Sequence, residues 1–194
     1  MISENLKKAY EDIHKSTPFG KRSKIPKDLK KFIEKYTPRS ICDFGCGKGN
    51  LVETLKETFP NIDTTGYDPA TEKFNNPIDN RFFDLLISTD VLEHVEHEFI
   101  DETLKYLLDK SKYIYHKIAL SPAKLILPDG RNAHLIQESP EWWKEKFIKM
   151  GYEILKDEYK EFEKFPKQHR WPDGSSRPML VKNYIIMARS NFDY

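Results

Sequence analysis

Ile41-Cys42-Asp43-Phe44-Gly45-Cys46-Gly47-Lys48-Gly49-Asn50 is the stretch where the hydrophobic period of this chain changes. Ile41 to Phe44 have the run of a buried strand end, whereas Leu51, Val52, Leu55 and Phe59 recur at helical spacing. The switch takes place over a glycine-rich turn, which is the mouth of a βα unit. Gly45 and Gly47 remove Cβ atoms where the backbone must bend sharply, so a ligand can approach the main chain. The helix that follows aims its first N–H groups at the same place.

Outward from that turn the pattern continues as alternating strands and helices. On the N-terminal side, Ser3 is placed to cap a helix with Leu6, Tyr10 and Ile13 on one face. A turn at Thr17-Pro18-Phe19-Gly20 follows it. A second helix opens at Pro26 and spaces Leu29, Phe32, Ile33 and Tyr36 along one face, stopping at Thr37-Pro38. These helices precede the first strand and must lie against the sheet or over its crevice, with Tyr10, His14 and Phe19 the side chains to watch.

On the C-terminal side, Asp63 to Asp68 is a second strand that ends in an acid, about 20 residues beyond the glycine turn. Phe82 to Ser88 is the next strand, and Thr89-Asp90-Val91-Leu92-Glu93-His94-Val95 forms its exit. A helix over Phe99 to Leu108 and a strand near Tyr113 to Leu120 lead into a polar loop, Leu127 to His134. Ser139-Pro140-Glu141 starts the last helix, with serine as cap, proline at the first position and glutamate facing the dipole. Tyr152 to Leu155 and Val181 to Ala188 are the final strands, and residues 158 to 178 between them read as a charged connection with a turn at Pro172-Asp173-Gly174.

Length and composition bound the function. A chain of 194 residues holds one α/β domain, 1–194, in which residues 1–39 cover the crevice and 40–194 make the core. Its apolar runs are too short for a bilayer, and residues 1 to 20 lack a signal-peptide core, so a cytoplasmic location is expected. Cys42 and Cys46 are too few for a disulfide scaffold and badly placed for a mutual bond. A net charge of +1 argues against a surface wholly given to nucleic acid, although lysines and arginines crowd the first 39 residues.

Three stretches together, Asp43-Phe44-Gly45-Cys46-Gly47-Lys48-Gly49, Gly66-Tyr67-Asp68-Pro69 and Phe83 to Val95, resemble the class I S-adenosylmethionine-dependent methyltransferases. The resemblance implies a Rossmann-like, mostly parallel sheet flanked by helices, with an antiparallel C-terminal strand pair. It implies that Gly45, Cys46 and Gly47 cradle the methionine part of S-adenosylmethionine through backbone atoms, and that Asp43 meets its amino group. Asp68 would hold the ribose, and Thr89 and Asp90 would line the methionine side. A dinucleotide oxidoreductase would require a third glycine at position 50, where this chain has Asn50.

One segment departs from the family. Only 15 residues separate Asp68 from Asp84, too few for the usual helix, strand and helix. The sheet is therefore expected to have a trimmed third-strand edge, without the usual acid that reads adenine; Asp79, Phe74 and Leu92 are the substitutes within reach. For catalysis, Asp90, His94 and His134 are the candidates to take a proton from the acceptor. Asp90, Glu93 and His94 also resemble the metal set of some O-methyltransferases, which His97 or His134 could complete, but the same letters occur in metal-free relatives and no metal is expected. A small-molecule acceptor is the favoured partner. The alternatives are a nucleic-acid acceptor held by the basic N-terminal region with Arg131, Arg170 and Trp171, and a cofactor-binding protein without catalysis.

Overall fold

A computed structural model of the chain describes residues 2–16, 24–164 and 179–190. Six strands form one sheet in the order β2-β1-β3-β4-β6-β5. The strands are β1 (Ser40–Phe44), β2 (Asp63–Tyr67), β3 (Phe83–Thr89), β4 (Ser111–Ala119), β5 (Tyr152–Lys164) and β6 (Met179–Ser190). β1 to β4 are mutually parallel, β6 runs antiparallel to β4, and β5 runs antiparallel to β6. The expected mixed sheet with its C-terminal antiparallel pair is therefore present.

The strand order places the site. From β1 the chain goes by helix α3 (Asn50–Thr58) to β2 on one side, whereas β3 lies on the other side and leads by α4 (Ile100–Asp109) to β4. The direction of winding reverses between β1 and β3, and ligands of such sheets bind outside the strands' carboxyl ends at that switch. Between β2 and β3 the chain makes only a 3₁₀ turn at Glu72–Phe74, so the edge is trimmed as expected and β2 is the border strand.

Each face of the sheet carries its own core. Ile41, Leu85, Ile87 and Tyr115 point to one side, where α2 (Lys27–Tyr36) buries Leu29, Phe32 and Ile33, and α3 buries Leu51 and Leu55. Their neighbours Cys42, Leu86 and Ile114 point the other way, onto Leu104 and Leu107 of α4 and Trp143 and Phe147 of α5 (Pro140–Lys149). Period-two alternation in strands and the 3.6 period in helices account for both layers. The first helix, α1 (Glu4–Ser16), packs Leu6 on Leu127 and Ala133 in a small satellite cluster.

Both predicted serine caps are present. The Leu6 N–H donates to Ser3 Oγ at 3.2 Å, and the Trp142 N–H donates to Ser139 Oγ at 3.2 Å. Ser139→Ala is expected to cost about 1 kcal/mol, as loss of a cap does, and to lower the thermal midpoint by about 2–4 °C in a melt followed by circular dichroism.

The last two strands are longer than their sequence pattern indicates. β5 does not stop at Leu155; it passes a register shift between Ile154 and Lys156 and runs on to Lys164, so residues 158 to 164 are strand and not connection. As the border strand β5 leaves one edge to solvent, and a charge-rich run such as Asp157-Glu158-Tyr159-Lys160-Glu161 suits an edge while hiding the apolar alternation. The expected turns at 17–20 and 172–174, and Phe19, Arg170 and Trp171, lie outside the described residues.

Candidate active site

The glycine turn hangs from the end of β2. Gly45 N–H and Cys46 N–H both donate to the Tyr67 carbonyl, at 2.7 and 3.1 Å. Gly45, Gly47 and Gly49 all have positive φ, at 74°, 53° and 80°, a region where a side chain is strained. Their surroundings differ. A Cβ on Gly45 would lie 2.5 Å from Val91, and one on Gly49 would lie 2.4 Å from the Phe74 ring, but the space over Gly47 is open.

Two carboxylates border that open space. Gly47 N–H donates to Asp68 Oδ2 at 2.9 Å and Ala70 N–H to Asp68 Oδ1 at 2.9 Å, which fixes the carboxylate while leaving each oxygen a further lone pair. Asp43 is buried, and its carboxyl has no hydrogen-bond partner among the described residues. Burial, together with the Asp68 charge, pushes its pKa up to about 8. Cys46 forms no disulfide, and burial with the Asp43 charge pushes its thiol up, so it is not an activated nucleophile.

The exit of β3 forms the other wall. Asp90 has φ 57°, a left-handed backbone uncommon outside glycine, and its N–H donates to the Lys117 carbonyl at 2.9 Å. Its carboxylate is gripped by Lys117 Nζ, at 3.0 Å to each oxygen. Glu93, on the 3₁₀ turn Leu92–His94, is fully buried; Oε1 accepts from the Ala119 N–H at 3.0 Å and Oε2 has no partner among the described residues. Burial and the Asp90 charge push Glu93 up to about 8, so it is protonated at neutral pH.

Helix α1 lies over this exit, tied by the Ser3 N–H and hydroxyl to the Glu96 carboxylate at 2.9 Å each, and by His14 to Thr71 Oγ1 at 3.0 Å. His94 Nδ1 is 2.8 Å from both the Ala133 carbonyl and the Tyr10 hydroxyl. A carbonyl only accepts, so Nδ1 carries the proton and Nε2 keeps the lone pair. Burial, and the His134 ring 4.8 Å away, hold His94 down at about 4, so it is neutral. His134 is fixed in the same way, with Nδ1 donating to the Ser121 carbonyl.

Several sequence expectations meet here and others do not. Asp43, Gly45, Cys46, Gly47, Asp68, Thr89 and Asp90 gather at the carboxyl ends of β1, β2 and β3, while His94 and His134 stand together under α1. Leu92 is fully buried in the core and presents no surface to an adenine ring. Asp79 accepts from the Tyr106 hydroxyl at 2.9 Å, and Phe74 packs on the glycine turn. Glu93, His94 and His134 bring ligand-capable atoms within 4.8 Å of one another, whereas His97 is not in the group. The burial of Glu93 had no local signal, because it depends on β4 and α1 closing over it.

A family model described as a methyltransferase domain matches residues 20–160. The chain belongs to that family. The methyltransferase also shares its fold with TehB from Haemophilus influenzae, at 18% identity and a TM-score of 0.61 over 94% of this chain and 67% of that one. Magnesium protoporphyrin IX methyltransferase (ChlM) from Synechocystis PCC 6803, with bound S-adenosylhomocysteine, superposes at 16% identity and a TM-score of 0.59 over 96% and 100% of the two chains. A S-adenosylmethionine-dependent methyltransferase from Archaeoglobus fulgidus does so at 20% identity and 0.53, over 84% and 91%. The enzyme's cofactor is S-adenosylmethionine. A buried acid with no partner suits its ammonium group, the open face of Gly47 suits a ligand lying on backbone, and the spare lone pairs of Asp68 suit a diol.

Proposed function

We propose that this methyltransferase acts in the cytoplasm on a small-molecule acceptor, with residues 1–39 covering the crevice of a single domain. The observation that carries the cofactor assignment is the unpartnered, buried Asp43 carboxyl beside the open face of Gly47. Asp43 would receive the amino group, the backbone of Gly45, Cys46 and Gly47 the methionine chain, Asp68 the ribose, and Thr89 with Asp90 the far side of the methionine. When bound, the cofactor supplies a methyl group made electrophilic by its sulfonium sulfur.

What the protein adds is orientation and a path for one proton. Transfer of that methyl group would be an in-line displacement, so a protein that holds both reactants aligned and away from water would account for about 7–11 kcal/mol of the barrier. The acceptor's proton passes to the Asp90 carboxylate, which stands at the exit of β3 and is held there by Lys117. His94, held down at about 4 by burial, stays neutral and packs with His134 under α1. Lys117 fixes the Asp90 carboxylate for either substrate to lean on.

The small-molecule reading is supported by charge balance among the described residues at the strand ends, where Lys117 faces Asp90 and Lys160 faces Asp28. By its name, the ChlM relative acts on a magnesium porphyrin, an acceptor of that size class. No helix among the described residues is long and apolar enough to cross a membrane. The test is transfer of labelled methyl into a fractionated cell extract. Label is expected in the low-mass fraction; label in RNA or DNA, weakened steeply by salt, would establish the nucleic-acid alternative instead.

A further inference from the structure

A second opening lies on the α2 side of the sheet, away from His94 and His134. It is a cleft of about 410 Å³, within the size range of small-ligand sites. Leu51, Thr89 and Asp90 line it, so it opens directly onto the start of α3 and the exit of β3, where the cofactor's methionine end belongs. Nothing in the cofactor reading uses its remaining walls.

Strand register defines the floor. Thr89 pairs with Lys117, Lys117 with Ile185, and Asn183 sits between Ala119 and Lys160. Asn183 and Ile185, two apart on β6, point to the same face. Asn183 is only 6% exposed, yet its carboxamide has no hydrogen-bond partner among the described residues. Its polar atoms are not sealed from the cleft, so the amide keeps both donor and acceptor capacity for whatever enters there.

The walls select charge. Three lysines, Lys24, Lys117 and Lys160, face two aspartates, Asp28 and Asp90. Lys117 is fully engaged with Asp90. Lys160 is held loosely, 3.6 Å from Asp28 and 3.4 Å from Glu158, and exposed pairs of that kind contribute little. Lys24 has no carboxylate partner among the described residues. The N-terminus of α2 opens at Pro26 on the same wall without a side-chain cap, which adds partial positive charge. Phe162 supplies an aromatic flank.

We propose that this cleft is the acceptor subsite and that it takes a small organic anion, held at its charged end by Lys24, Lys160 and the start of α2 and read at a hydrogen-bonding group by Asn183. The proposal rests on the methyltransferase reading for its role but not for its binding chemistry. The carboxylate and phosphate forms of such an acceptor share that chemistry.

The full chain is tested with benzoate, phenyl phosphate and neutral benzamide as probes, using ligand-observed NMR with and without S-adenosylhomocysteine. At least one of the two anions is expected to bind and benzamide at least tenfold more weakly, and the preferred anion identifies the source. Lys24→Gln/Lys160→Gln and, separately, Asn183→Leu are each expected to weaken the anion at least tenfold while calorimetric affinity for S-adenosylhomocysteine stays within about twofold. Asn183→Leu removes an unpartnered amide, so its fold is expected to hold, and circular dichroism checks it. Failure of both anions to bind, equal binding of benzamide, or a tenfold loss of S-adenosylhomocysteine affinity in these variants would overturn the proposal, the last by giving the cleft to the cofactor. Anion binding by a wild type that does not bind S-adenosylhomocysteine would instead sink the methyltransferase reading and leave the subsite standing.

Discussion

Asp43→Asn is expected to weaken S-adenosylhomocysteine binding about a hundredfold at pH 8, equivalent to about 2.7 kcal/mol. That is the range for a charge-assisted hydrogen bond whose partner is otherwise buried alone. The pH dependence is the more specific signature. In the free protein Asp43 keeps its proton up to about pH 8, whereas in an unfolded chain it titrates near its ordinary 3.8. Because the native state binds the extra proton, this group's contribution to stability is complete below about pH 4 and is lost as pH rises toward 8. A cation bound at Asp43 reverses that bias by favouring the carboxylate. Affinity of the wild type should therefore rise roughly tenfold per pH unit from 6 toward 8, one proton leaving per ligand bound. Above that the gain should level off, since Asp43 is then ionised in the free protein as well. Calorimetry across pH 6–9 in buffers of different ionisation enthalpy measures both the affinity and the proton. In Asp43→Asn the acid limb should vanish; if it persists, another group receives the ammonium.

Gly45→Ala and Gly47→Ala are expected to fail in opposite ways, although they stand two residues apart in one turn. Both place a Cβ at positive φ, which costs about 1–2 kcal/mol. At Gly45 the new carbon would also sit 2.5 Å from both Val91 methyl carbons, and overpacking of that kind adds about 1–3 kcal/mol. Gly45→Ala should therefore lose about 2–5 kcal/mol in denaturant melts, and adding Val91→Ala should recover part of it. At Gly47 nothing lies within 4 Å of the added carbon, so Gly47→Ala keeps most of its stability. It should instead lose at least tenfold in S-adenosylhomocysteine affinity, because the methyl group occupies the backbone surface the ligand needs. Unchanged affinity in a folded Gly47→Ala would remove this glycine from the cofactor site.

Much of this site was legible in the sequence because its signals are local. A glycine turn between a strand period and a helix period, an acid closing the next strand and a polar exit from the one after it depend only on neighbouring residues. The serine caps and the missing third-strand unit were readable for the same reason, since a cap needs one side chain and a crossover needs a minimum length. The long edge strand β5 was not. An edge tolerates charge on most of its positions, and its pairing partner β6 begins at Met179, beyond any local window.

Side-chain period and glycine placement alone were enough to read the family, the glycine turn and the order in which strands and helices follow one another. The protonation of the site and the residues that meet in its second cleft depend on contacts between distant parts of the chain. Asp43 and Glu93 hold protons near neutral pH because burial, and then a neighbouring carboxylate, Asp68 for one and Asp90 for the other, disfavour their charged forms. Lys24, Asp28, Lys117, Lys160 and Asn183 meet because the strand order sets β6 between β4 and β5, with α2 lying on that face. Burial and charge pairing are properties of who lies opposite whom, and in a sheet that is fixed by register across strands far apart in the chain.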